Sequence, residues 1–149
     1  MMSLYDQNAA TETLARIEVL RLDSERQWGK MDAAQMLAHC SSFQDIALGR
    51  SFPKRHPLGF FIGRFVKSLF YNDKPLERNL PTDKSIFIST DKDFETEKEK
   101  LKQQIISFHE GGEEKCTRHP HPFFGKLSPE QWGIGCYKHL DHHLNQFGV

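Results

Sequence analysis

The chain has 149 residues, 20 basic and 20 acidic side chains and no net charge, so it is long enough for one domain that buries roughly two-thirds of its unfolded surface. Such balance argues against nucleic acid and membrane as partners, local patches aside. No basic, apolar leader opens the sequence and no stretch approaches the roughly 18 apolar residues of a membrane span, so a cytoplasmic protein is expected.

In chain order, Leu14, Ile17, Val19 and Leu20 predict a short amphipathic helix over residues 11–22, followed by a polar turn at 23–26. Past Trp28 and Gly29, Asp32 is a suitable N-cap and Gln35, three residues on, its capping-box partner. That helix is expected to run to Leu48 and stop at Gly49. Its apolar stripe is Ala33, Met36, Cys40, Phe43 and Ala47; His39 lies on the flank of the stripe, where a half-buried imidazole needs a partner.

Residues 51–57, with two prolines and three basic residues, read as a connection. Over residues 58–70, Leu58, Phe61, Ile62, Phe65, Val66 and Leu69 form a broad apolar face that predicts a core helix, with Gly59 and Gly63 allowing a close approach. Residues 72–91 are too irregular for a helix. Within them, 85–89 is compatible with one short strand or a packed strap, and a connection this long often shapes a pocket. Residues 93–110 predict a charged helix with Phe94, Leu101, Ile105 and Phe108 on its inner edge and Glu-Lys runs on a solvated face. Gly111 and Gly112 end it, and a proline-broken strap carrying Cys116, His119 and His121 follows.

The last helix is the best marked, with Ser128 as N-cap, Pro129 in the first helical position and Gln131 closing a box. Trp132, Cys136, Leu140, Leu144 and Phe147 form its apolar face. His143 falls within that face, His139 on its border one turn earlier, and His142 further round as the expected bystander. The sum is an all-α chain of four or five helices, a four-helix bundle with long irregular connections and room for one short extra helix.

In such a bundle His39, His139 and His143 could together supply three imidazoles to one divalent ion. Three nitrogen ligands suit Zn, Ni or Fe and leave a position open for water or substrate. Paired Glu-x-x-His motifs, the His-Glu pair of zincins, a phosphate loop and a nucleophile elbow are all missing. Cys40, Cys116 and Cys136 suit reduced thiols better than a disulfide framework. Cys40 and Cys136 read as core, Cys136 as a fourth ligand being the less favoured reading, and Cys116, His119 and His121 as surface or cap residues ahead of a second zinc site. Gln35 and Gln146 flank the three-histidine site and could orient a ligand or water.

Met36-Leu37-Ala38-His39-Cys40 after Trp28-Gly29-Lys30, the run from His121 to Leu127 and the run from Lys138 to Gly148 resemble a bacterial branch of the DinB-like (DinB/YfiT) superfamily. The resemblance spans nearly the whole chain. It implies a four-helix bundle in which one histidine of the second helix and a His-x-x-x-His pair on the last bind a divalent metal, here His39, His139 and His143. Members of that superfamily often dimerise, and they include thiol-dependent S-transferases and a maleylpyruvate isomerase. The expectation is therefore a metal-dependent enzyme that activates a thiol or water for group transfer or hydrolysis, with a small-molecule substrate such as a low-molecular-weight thiol. No catalytic acid or base is identifiable. The alternative is a non-enzymatic metal-binding or protein-interaction bundle. Twelve phenylalanines are enough to cover a homodimer surface as well as a core.

Overall fold

The computed structural model describes residues 1–78 and 86–149. It is all-helical: α1 (Gln7–Val19), α2 (Ala33–Ala47), α3 (Pro57–Val66), α4 (Ser68–Tyr71), α5 (Phe94–Gly111) and α6 (Pro129–Gln146), with a 3-10 turn at Glu113–Lys115. Among the described residues there is no strand, only a single bridge that closes a tight loop between His121 and Gly125.

Local chemistry sets the helix ends. Both capping boxes form: Asp32 accepts from the Gln35 amide while Gln35 accepts from the Asp32 amide, and Ser128 and Gln131 do the same at α6. Asp93 accepts from the Thr96 amide at 2.8 Å to start α5, and Gly112 caps its end. α1 begins four residues earlier than the apolar periodicity indicates, because Ala9 and Ala10 also pack inward, and it stops at Val19. Leu22, expected inside that helix, lies exposed beyond it.

α2 packs against both α5 and α6, and α1 packs against the same two helices from the other side. The fully buried side chains between them include Trp132, Phe108, Met36, Leu101, Ile105 and Leu140. Each large aliphatic or aromatic group removed from water here contributes about 1.5–3 kcal/mol. On α5 the Glu-Lys runs do more than face solvent. Lys98 donates to the Glu18 and Leu20 carbonyls, Lys102 pairs with Glu18, and Lys100 reaches Asp45, so the charged face ties α5 to its neighbours.

The segment 58–70 is not the core helix its pattern predicts. A turn at Lys67 divides it into α3 and α4, and only Gly59, Gly63 and Phe70 within it are buried. Leu58, Phe61, Ile62, Phe65 and Leu69 point outward. The reason is steric. A Cβ at Gly59 or Gly63 would collide with the backbone carbonyl of Phe123, so the glycine edge is the one side of α3 that can lie flat on the strap 116–127. The close approach expected of these glycines is therefore real, and it turns the apolar stripe away from the core. Ile86 to Ser89 are not in a strand; Ser85 and the rest of 79–85 lie outside the described residues.

Candidate metal centre

α2 and α6 lie side by side and bring His39 against His139 and His143. One turn of α6 separates the last two, so their rings share a face. The three ring centroids are 4.6–5.0 Å apart, and one nitrogen from each residue lies within 4.8 Å of the others. Among the described residues this is the only group of three or more potential metal ligands that converges in this way.

The hydrogen bonds fix which nitrogens converge. His39 Nδ1 lies 2.9 Å from the Ile86 carbonyl, which can only accept, so Nδ1 carries the proton and Nε2 is a bare lone pair. Gln146 Nε2 donates to the Trp28 carbonyl at 2.7 Å, which turns Gln146 Oε1 towards His143. His143 Nδ1 must then donate to that oxygen at 3.0 Å, leaving its Nε2 bare. His39 Nε2 stands 3.0 Å from His139 Nε2, while His139 Nδ1 is buried with no hydrogen-bond partner. Whichever tautomer His139 adopts, one of its nitrogens stays unsatisfied within the protein. A cation among the three rings would take the facing lone pairs of His39 Nε2 and His139 Nε2 together, with the His139 proton on Nδ1. The spacing also suits one, since two ligands at about 2.0–2.1 Å from a tetrahedral ion lie roughly 3.3 Å apart.

Burial keeps the rings neutral, the form in which imidazole ligates. His39 is 3% exposed and His143 9%. Desolvation lowers the pKa of all three: His39 is shifted down, His139 is held well below its ordinary value with the neighbouring rings adding to the effect, and His143 is brought down to about 3. Phe43 stacks on His139 at 4.1 Å and closes the apolar side.

The Gln146 relay depends on an element with no histidine in it. Gly29 adopts φ +81°, and a Cβ there would occupy the position of the Gln146 amide. Only glycine lets the Trp28 carbonyl reach that side chain. Of the two glutamines expected to orient a ligand, Gln146 thus acts by holding His143, whereas Gln35 spends its side chain on the α2 cap.

The remaining candidates fall elsewhere. His142 is outside the cluster, its ring 5.1 Å from His143 and 5.7 Å from Trp28. It lines a cleft of about 660 Å³ together with Trp28, Pro75, Leu76, Arg78 and Lys138. The middle connection therefore does shape a cleft, with Trp28 on its wall, one ring away from the three histidines. Arg78, which no sequence pattern singled out, lies 4.1 Å over the Trp28 ring. Cys116, His119 and His121 form no second centre. Cys116 is buried beside Tyr5, His119 packs on Phe52, and His121 Nδ1 accepts from the Phe123 and Phe124 amides among aromatic rings. Cys136 is fully buried outside the cluster. Burial pushes all three thiols up in pKa, so none is a ready nucleophile.

Fold and site together define an all-helical protein whose second and last α-helices hold three neutral imidazoles positioned to take a metal ion. The chain belongs to the family described as "Protein of unknown function (DUF1569)", whose model matches residues 2–148. Neither curated proteins nor solved structures give a match.

Proposed function

We propose that this protein is a divalent-metal-dependent enzyme of the DinB-like type, a four-helix bundle of α1, α2, α5 and α6 with the ion held by His39, His139 and His143. The observation that carries the reading is the convergence of His39 Nε2 and His139 Nε2, 3.0 Å apart, with His143 fixed alongside by Gln146. A Zn, Ni or Fe ion at such a site acts as a Lewis acid that lowers the pKa of bound water or thiol. Three protein ligands with no cysteine among them leave room for that exogenous group.

The chain's own residues supply the rest. Phe43 and the core exclude water from one side, and His142 stands between the cluster and the cleft. Trp28, Leu76 and Arg78 form a wall against which a small substrate can lie, with the Arg78 guanidinium available to an anionic group. Because the three cysteines are buried as neutral thiols, a thiol nucleophile would come from a low-molecular-weight substrate. Group transfer to or from such a thiol is favoured over hydrolysis by the superfamily resemblance.

The test is metal content, by elemental mass spectrometry on untagged protein beside His39→Ala and His143→Ala. About one ion per chain in the wild type, lost in both variants, is the expected result. Protein that stays metal-free after reloading with each of Zn, Ni and Fe would overturn the reading.

A further inference from the structure

Five of the twelve phenylalanines are exposed, and four of them, Phe52, Phe60, Phe61 and Phe65, fall within fourteen residues around α3. Phe61 and Phe65 are 71% and 69% exposed. With Leu58, Ile62 and Leu69 they make a stripe at helical spacing on the side opposite the glycine edge, so α3 and α4 offer solvent a continuous apolar ridge. Rotating the ridge inward would drive phenylalanine rings into the Phe123 backbone, where only hydrogen fits. Its exposure is built in.

Charge around the ridge is segregated. Residues 46–72 and the strap 116–127 beneath them carry Arg50, Lys54, Arg55, Arg64, Lys67, Arg118 and Lys126 and not one Asp or Glu. The strap is fastened to this unit by the His56 amide on the Pro122 carbonyl and the Thr117 amide on the Ala47 carbonyl. Asp45 and Asp73 flank the stretch 46–72, and Asp45 is engaged by Gln104 and Lys100 on the α5 side. The remaining 13 basic and all 20 acidic residues fall outside these two stretches of the sequence. Arg55 and Arg64 rest their guanidinium groups on Phe60 and Phe65, so the cations border the ridge itself.

An apolar ridge bordered by Arg55 and Arg64, on two stretches that carry seven cations and no acid, matches an anionic lipid surface, where rings enter the acyl boundary and guanidinium and ammonium groups meet the headgroups. A closed pair of identical chains would bring the same seven cations onto themselves. We propose that α3 and α4 dock this protein, lying in the interface plane, on anionic membrane lipid. Whole-chain neutrality conceals the feature, because the balance sums two unlike faces. No helix among the described residues is long and apolar enough to cross the bilayer, and this mode of binding needs none.

The test is flotation of the full chain with vesicles of equal parts phosphatidylglycerol and phosphatidylcholine, against pure phosphatidylcholine. The expected result is recovery with the anionic vesicles alone, falling steeply as salt rises from about 0.1 M to about 1 M and the Debye length shrinks from about 10 Å to about 3 Å. Phe61→Ser with Phe65→Ser, and separately Lys54→Glu with Arg64→Glu, change exposed side chains and should each weaken binding roughly tenfold or more with helicity intact. Three outcomes would overturn the proposal: no flotation with anionic vesicles, binding untouched by either pair of substitutions, or a solution dimer that the Phe61→Ser, Phe65→Ser pair dissociates. The last would make a second copy the occupant of the ridge.

Discussion

The histidine cluster and α3 depart from the usual distribution of polar and apolar groups in opposite directions. Between α2 and α6, three imidazoles sit in the core, and two of their three outer nitrogens are bonded, His39 to Ile86 and His143 to Gln146, while His139 Nδ1 has no partner. Around α3, large apolar side chains sit in water while the opposite side of the helix lies on the strap, because the glycine edge is the only side thin enough to dock. One departure is maintained by hydrogen bonding and the other by sterics. In both, specific neighbours hold the unfavourable arrangement in place, which sets them apart from chance burial or chance exposure.

The interior region should respond most to ligand. Saturation with a bound ion at roughly a hundred times its Kd stabilises the fold by about 2.7 kcal/mol. For a chain of this size that is a rise of about 5–10 °C in Tm, measurable by calorimetry with and without each ion. His39→Ala should abolish the rise. The α3 region should respond next, and locally. Gly63→Ala places a methyl on the Phe123 carbonyl and should cost about 1–3 kcal/mol. If α3 is an apron docked on the core, hydrogen exchange will show its amides losing protection while those of α2, α5 and α6 keep theirs; global loss would make α3 part of the core after all. Gln146→Ala sharpens the interior side again by removing the group that sets the His143 tautomer, and should weaken metal affinity tenfold to a hundredfold in a competition titration. Gln146→Glu restores the acceptor for His143 but faces the Trp28 carbonyl with a carboxylate, so its affinity should fall between the two.

What the sequence made legible follows from how local each signal is. The capping boxes at Asp32 and Ser128 involve residues three apart, and both helix starts were readable in full. His139 and His143 are one turn apart on a helix with a clear apolar face, so their convergence was readable too, and His39 followed from its place beside an apolar stripe. The relay through Gln146 was only half readable, since it depends on the Trp28 carbonyl and on Gly29 at a sequence distance above one hundred residues. Arg78 left no pattern at all. The α3 stripe misled for a physical reason: periodicity reports that a helix has an apolar face and is silent on which way that face turns. The direction was set by two glycines and a strap sixty residues away. Net charge is silent in the same manner, a sum being blind to segregation.

The smallest expected effect tests the direction of the α3 stripe most directly. Phe61 and Phe65 touch little of the protein beyond each other's neighbourhood and the Arg64 guanidinium. Phe70, a few residues on, is buried against Phe43, Phe124 and Trp132. By the usual reading of a phenylalanine-rich helix all three belong to the core, and truncating any of them would open a cavity. If the ridge is surface, Phe61→Ser and Phe65→Ser should leave the stability within about 0.5 kcal/mol of the wild type in urea unfolding, with the same dependence on denaturant. A loss of several kcal/mol from either would mean that these rings are covered in the folded protein, and that the stripe packs inward as its periodicity alone suggests.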